Sequence, residues 1–190
     1  MNLRKQLVLG IWCGALAACA NNRPPEPVMY DLHGIRPIPM DKAPALSLRL
    51  ESRMAAWFDS TDINYRLLYE APLRLRQYAD SRWAAKAGLL AGERLQAMVG
   101  PLAPGARCSA RVEIVEFAQH FDAPTSSRFV LEARWSISSA KGERLMAEAR
   151  SFSVDAASPD ALGGVKAAAQ ATGQLGVAML AGAHLLNECK

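Results

Sequence analysis

The chain has 190 residues, enough for one domain behind a processed leader but too few for a multidomain enzyme. Hydrophobic residues make up 51% of the sequence and charged residues 21%, so the chain can bury a core and wholesale disorder is excluded. Without Arg4 and Lys5 the 22 basic residues fall to 20 against 18 acidic ones, a net charge of +2. This balance gives no electrostatic case for nucleic-acid binding.

The first 18 residues are predicted to be a lipoprotein signal peptide. A short basic start precedes twelve uncharged residues, Leu7 to Ala18. This length is typical of a signal-peptide core and too short for a bilayer, which requires roughly 17 to 25 residues. The sequence Leu16-Ala17-Ala18-Cys19 resembles a bacterial lipobox. We expect cleavage before Cys19 and acylation of its thiol and new amino terminus; the alternative is an ordinary cleavage site with an incidental cysteine.

The residues after the cysteine predict where the protein is sorted. In Gram-negative lipoproteins, Asp directly after the acylated cysteine retains the protein in the inner membrane, and here that residue is Ala20. We therefore expect the outer membrane, with the body of the protein in the periplasm. Residues 19–28 contain three prolines and no apolar periodicity, which predicts an extended tether. Residues 29–190 then form a single periplasmic domain.

The first half of this domain predicts strands followed by a helix. Alternating apolar and polar residues predict strands at 46–51 and 63–70. The alternation resumes at Leu73 after the break at Ala71-Pro72, so residues 63–79 form either one bent strand or a strand pair interrupted at Pro72. The helical spacing of apolar residues from Ala84 to Val99 predicts a helix that ends at Gly100-Pro101.

The second half predicts three longer strands and a long helix. Cys108 to Phe121 alternates but changes phase at Ile114-Val115, which indicates a bulge. Strands at 129–137 and 145–154 follow, the latter after a Lys141-Gly142 turn and with a phase shift near Arg150. Ser158-Pro159-Asp160 predicts a helix with Ser158 as N-cap that runs to about Glu188. The order predicts an α+β fold, a mixed or antiparallel sheet with two main helices packed on one face.

Two cysteines remain once the leader is removed and Cys19 is acylated. In an oxidising compartment Cys108 and Cys189 are predicted to form a disulfide. The alternative is two buried free thiols.

The sequence contains no recognisable catalytic constellation. His33, His120 and His184 are scattered, without the spacing of a metal site, and nucleotide-binding and nucleophile-elbow motifs are absent. We therefore expect no enzyme activity, no metal and no cofactor other than the covalent lipid on Cys19. Without an ATP site, any role in transport is auxiliary.

Aromatic and arginine residues are concentrated between Trp57 and Trp83. These residue types dominate interface energetics, because they combine large buried areas with directional polar groups. We expect some of them to contact a partner: Arg74, Arg76, Tyr78 and Trp83. The alternative places half of the aromatics in the core and the arginines on a solvated sheet face.

Several segments of the mature chain together resemble a known family. They are Tyr30-Asp-Leu32, Ile63-Asn-Tyr-Arg-Leu67, Leu73 to Trp83 with Tyr78 before the tryptophan, and Val130-Leu-Glu-Ala-Arg-Trp-Ser-Ile137. Their order and spacing, behind a lipobox, resemble the ABC-type transport auxiliary lipoproteins, or PqiC-like family. The resemblance covers almost the whole mature chain. It departs at Ala84-Ala85-Lys86, where the family often has a proline, and this leaves the partner subtype open.

The resemblance implies a non-catalytic outer-membrane lipoprotein. Its partners would be an MCE-type (mammalian cell entry) substrate-binding protein and an ABC permease with its ATPase, which move phospholipid or related lipids across the envelope. The alternative function is an outer-membrane lipoprotein that activates or assembles another envelope complex, such as a peptidoglycan synthase.

Overall fold

The computed structural model describes residues 26–34, 46–100 and 105–190. The predicted signal peptide, Cys19 and most of the predicted tether lie outside the described residues. Within them the chain forms seven strands and two helices, followed by a short 3-10 turn. In chain order these are β1 (Val28–Tyr30), β2 (Leu48–Met54), β3 (Asp62–Leu67), β4 (Arg76–Trp83), α1 (Ala87–Val99), β5 (Cys108–Ala123), β6 (Ser126–Ser139), β7 (Arg144–Asp155), α2 (Ala161–Leu185) and the turn Asn187–Cys189.

The strands form one mixed sheet organised around β5. The order is β1-β4-β3-β5-β6-β7, and β2 also pairs with β5. The first half of β5 runs parallel to β2, its last residues run parallel to β3, and β6 lies antiparallel along its whole length. The register shift between Ile114 and Glu116 confirms the predicted bulge. It lies where β5 changes from one parallel partner to the other, because the extra residue re-aims the strand.

Both helices pack on one face of the sheet, which confirms the predicted fold class. Helix α2 contacts β6 and β7, while α1 contacts β2 and α2. The sheet residues on this side are almost fully buried and apolar, among them Val112, Ile114, Phe117, Leu131 and Trp135. Alternate residues of the same strands point to the other side.

The helix boundaries differ from the predicted ones because loop residues supply the caps. Helix α1 begins at Ala87 rather than Ala84, and the Gly88 amide donates to the Asp59 carboxylate at 3.2 Å. The N-cap of α2 is Asp160 rather than Ser158, because its carboxylate accepts from the Gly163 amide at 2.7 Å. That backbone hydrogen bond, with a second from the Ser158 hydroxyl, lowers the pKa of Asp160. Helix α2 ends at Leu185, and a separate turn carries Cys189.

The predicted phase shift near Arg150 is wrong. Arg150 pairs with Ala133 in an unbroken register, and the irregularity of the β6–β7 pair lies between Ile137 and Ser138, beside the connecting turn. The alternation near Arg150 is blurred because β7 is an edge strand with many exposed positions on both faces.

A disulfide joins the start of β5 to the end of the chain. Cys108 and Cys189 are bonded, with their Cα atoms 5.3 Å apart and both side chains buried. Backbone hydrogen bonds from the Ser47 amide to the Cys189 carbonyl and from the Cys108 amide to the Ser47 carbonyl hold the same corner. The C-terminal turn is therefore fixed against the core beside β2 and β5.

Candidate functional site

The face of the sheet away from α1 and α2 is covered by no helix or strand of the described residues. The strand register places two rows of side chains across it. The first row is Glu51, Arg111, Ser136 and Ala147, and the second is Arg53, Glu113, Arg134 and Ala149. They border a concavity of about 880 Å³. We call this surface the open face.

Ion pairs between neighbouring strands occupy the centre of the open face. Arg111 Nε lies 3.0 Å from Glu51 Oε2, and Arg53 Nη2 lies 3.2 Å from Glu113 Oε1. Glu113 also accepts from Arg134, and this hydrogen bond holds the pKa of Glu113 below its usual value. Each of these pairs has at least one partner that is more than half exposed, so solvent screens the pairs and they contribute little to stability. These charges are therefore free to exchange partners without loss of the fold.

A less exposed cluster lies on the same side of the sheet, near the end of β5. Arg66 Nε and His120 Nε2 each lie 3.0 Å from Glu116 Oε1, and the three side chains are 14–19% exposed. Burial raises the pKa of Glu116, but the hydrogen bonds with His120 and Arg66 outweigh it, so the net pKa is below the usual value. Arg66 Nη1 also donates to the Leu73 carbonyl at 3.4 Å. The cluster therefore ties residues 68–75, the β3–β4 loop, to the sheet.

A buried polar network lies on the other side, beneath the start of α2. The Tyr78 hydroxyl donates to Gln119 Oε1 at 2.9 Å, and Gln119 Nε2 donates to the Ser127 hydroxyl at 2.7 Å. A Cβ at Gly164 would lie only 2.1 Å from Gln119 Oε1, so glycine is required for this approach of helix and sheet. Burial, followed by the charge of Asp160, raises the pKa of Tyr78. Tyr78 therefore has an internal role as a neutral donor.

The four residues of the predicted partner interface lie in different environments. Trp83 is 1% exposed and packs with its ring centroid 5.9 Å from that of Phe117, so the prediction of Trp83 as an interface residue is wrong. Its place on the covered face makes it a core residue. Arg76 pairs with Glu70 beside it at 2.5 Å, and Tyr78 is half-buried. Arg74 is exposed and has no ion-pair partner in the described part of the chain.

The most exposed large apolar side chain of the described residues lies next to Arg74 and was missed. Leu73 is 94% exposed, and Tyr69 in the same loop is 48% exposed. The sequence carried a signal, because the break at Ala71-Pro72 places a turn here and Pro is favoured at its second position. The apolar alternation of Leu73 with Leu75 instead suggested a strand.

Residues 26–34, 46–100 and 105–190 contain neither a candidate metal site nor a candidate membrane-spanning helix. No group of three or more His, Cys, Asp or Glu side chains there is placed to hold a metal ion. None of the helices in those ranges has the length and apolar character needed to cross a bilayer. Cys19 and its predicted lipid lie outside them.

Comparison with known proteins places this chain by fold. No protein-family model and no curated protein matches the sequence. The fold is similar to the crystal structure of protein XCC0632 from Xanthomonas campestris, of the DUF330 family, with a TM-score of 0.65. The match covers 85% of this chain and 93% of that one at 16% identity. The crystal structure of an uncharacterized protein matches with a TM-score of 0.64 over 83% of this chain and 99% of its own, at 12% identity. The TM-scores show a shared fold, and at identities this low they show the fold alone.

Proposed function

We propose that the protein is a lipid-anchored auxiliary component of an ABC/MCE-type phospholipid transport system at the outer membrane. The observation that carries the proposal is the fold shared with the DUF330 protein over nearly the whole of both chains. DUF330 is the PqiC-like family that the order and spacing of the sequence motifs resemble. The fold likeness and the sequence resemblance therefore support the same class of lipoprotein.

In this proposal the anchor is the acylated Cys19. Each buried methylene contributes about 0.8 kcal/mol, so one chain holds marginally and two or three hold firmly. Mass spectrometry of the mature amino-terminal peptide tests this step. We expect a peptide that begins at Cys19 with a diacylglycerol thioether and an acylated amine. A mature chain that begins downstream of Cys19 without fatty acid would contradict the anchor.

The proposed role is docking, with no catalysis and no cofactor apart from the lipid. The charged side chains of the open face support it, because they are paired with one another across strands at the surface. When surface charges meet complementary charges of a partner, they contribute specificity and association rate more than affinity. The partner in this proposal is the MCE-domain protein, which links the lipoprotein to the permease and ATPase.

Co-purification tests the docking step. We expect the MCE-domain protein to be recovered with the wild-type lipoprotein, and recovery to fall about tenfold or more with Arg111→Glu, since a like charge in an interface costs several kcal/mol. Arg144→Glu, in the same concavity, should act in the same direction. Lys166→Glu makes the same charge change on an exposed position of α2 and serves as the control.

Two results would contradict this docking model. Equal recovery with all three variants would remove the open face as the docking surface. Recovery of another envelope complex, such as a peptidoglycan synthase, with no MCE-domain protein would replace the proposed partner and favour an activator or assembly role.

A further inference from the structure

The direction of β1 determines which end of the domain faces the start of the chain. β1 runs parallel to β4, with Val28 beside Ser81 and Tyr30 beside Trp83. Residues 26–27, which precede Val28, therefore lie on the side of Arg76, where β4 begins. The β3–β4 loop, residues 68–75, lies at this same end.

Other elements complete this end of the domain. β3 and β5 are parallel, so Leu67 and Phe121 end side by side. β7 also ends here, because Asp155 pairs with Arg128 near the start of β6, and α2 begins shortly afterwards. We call this the tether end. The disulfide and Leu185, the last residue of α2, lie at the opposite end.

The β3–β4 loop presents an apolar side chain on a backbone that is held in place. The Ala71 amide donates to the Leu67 carbonyl at 2.9 Å, and the Arg74 amide donates to the Ala71 carbonyl at 3.0 Å. Arg66 donates to the Leu73 carbonyl from the half-buried cluster described above. Leu73 is therefore fixed at the tip of a hydrogen-bonded turn with 94% of its surface in water.

The residues around this tip fit a bilayer surface. Leu73 can enter the acyl region, and the half-exposed Tyr69 has an apolar ring and a polar hydroxyl, which suit the headgroup boundary. Arg74 is exposed and unpaired among the described residues, so it can meet an anionic phosphate. Apolar tip, aromatic flank and exposed cation lie within six consecutive residues, at the end of the domain where residues 26–27 enter β1.

We propose that the β3–β4 loop inserts Leu73 into the bilayer leaflet that holds Cys19, so that the tether end of the domain rests on the membrane. This inference rests on the proposed lipid anchor. Eight residues lie between Cys19 and Val28, and the nine Cα-to-Cα steps that join the two can span at most about 30 Å. An anchor on so short a connection keeps the loop beside the lipid surface. The open face is then directed sideways, available to a protein partner.

The experiment uses the lipidated protein in vesicles of phosphatidylethanolamine and phosphatidylglycerol, with or without brominated acyl chains. Bromine quenches a tryptophan that reaches the acyl region. Leu73→Trp places the probe in the loop, and Leu185→Trp places it at the opposite end, where Leu185 is 83% exposed. The parent protein supplies the background of its own tryptophans. We expect added quenching for Leu73→Trp and none for Leu185→Trp.

The unsubstituted protein provides a second measurement. Backbone hydrogen exchange of residues 68–75 should be several-fold slower in vesicles than in the unlipidated chain from residue 20, since bilayer contact restricts water access to the turn. Exchange of residues 140–143, the turn between β6 and β7 at the opposite end, should not change.

The outcomes separate this inference from the anchor on which it rests. Quenching of Leu185→Trp alone, or of neither variant, in protein whose Cys19 is shown to be acylated would overturn the loop insertion and leave the anchor intact. Unchanged exchange of residues 68–75 in the same acylated protein would also overturn it. Absence of acylation would instead refute the proposed function.

Discussion

The two faces of the sheet differ in the interactions that their side chains make. On the covered face, α2 buries sixteen of its 25 residues, most of them alanine and glycine, against a nearly continuous apolar surface. On the open face, arginine and glutamate alternate between strands, and all of these charged side chains except Glu113 keep more than half of their surface in water. The same strands carry both patterns, because successive side chains point to opposite sides.

Residues of the covered face stabilise the fold, whereas residues of the open face are available to contact a partner. Burial and close packing stabilise the covered face, and each removed contact there leaves a cavity or an unpaired polar group. The open face contributes little to stability, so its side chains can change with little cost to folding. Substitutions matched across the two faces test this division.

The largest expected effect is loss of the disulfide at the corner of the covered face. Cys108 and Cys189 are 81 residues apart, and closure of a loop this long contributes about 4–5 kcal/mol on the chain-entropy model. The Cys108→Ser, Cys189→Ser double variant should therefore lose most of its stability in urea unfolding. Alkylation of the native protein is the accompanying control: two thiols that alkylate without reductant would show that the bond does not form.

Substitution of one arginine on each face compares directly how much the two faces contribute to stability. Arg94 is 3% exposed, with Nε donating to the Ala169 carbonyl at 3.0 Å and Nη1 to the Leu32 carbonyl at 2.7 Å. Arg94→Ala should reduce the free energy of unfolding by about 3 kcal/mol, because buried acceptors lose charged donors. Arg134→Ala, on the open face, should leave the urea midpoint within error. Equal effects of the two would contradict the division between the faces.

Two glycines test close packing on the covered face. Gly164→Ala should destabilise the protein by about 2 kcal/mol, because the new Cβ must displace Gln119 from its hydrogen bonds. Gly92→Ala in α1 is the control, since its Cβ meets only the hydroxyl of Ser52, which can rotate away. There the higher helix propensity of alanine should leave stability unchanged or raised. A thermal melt of both variants measures the contrast, and a stabilising Gly164→Ala would contradict it.

Much of the fold could be predicted from the sequence because its signals are local. Alternation located most of the strands, a change of phase located the bulge beside Ile114, and a proline with a carboxylate located the start of α2 to within a few residues. The fold class followed from the order of these elements. The parallel pairing of β2 and β3 with one strand did not, because register between distant segments is set by tertiary packing.

The candidate site was less predictable because exposure depends on the whole fold. Trp83 and Leu73 are both apolar residues in one arginine-rich segment, yet Trp83 is in the core and Leu73 is at a loop tip. Their exposure differs because Trp83 lies in β4, on the covered face of the sheet, whereas Leu73 lies in the loop before β4. Two ion pairs of the open face, Glu51 with Arg111 and Arg53 with Glu113, join residues 60 positions apart, a separation over which charge patterning along the sequence carries no information.

The smallest expected effect concerns Glu116, which lies on the same side as the open face but is half-buried. Because its folded pKa is below the ordinary value of 4.5, the carboxylate stabilises the protein above about pH 4.5 and loses this contribution as the pH falls through the folded pKa. Glu116→Gln cannot titrate at this position. The difference in unfolding free energy between wild type and Glu116→Gln should therefore be greatest near pH 7 and shrink below pH 4.5. Urea unfolding at a series of pH values measures it. A difference that is constant with pH would show that the hydrogen bonds with Arg66 and His120 stabilise the neutral side chain equally well, and Glu116 would then belong with the solvated pairs of the open face.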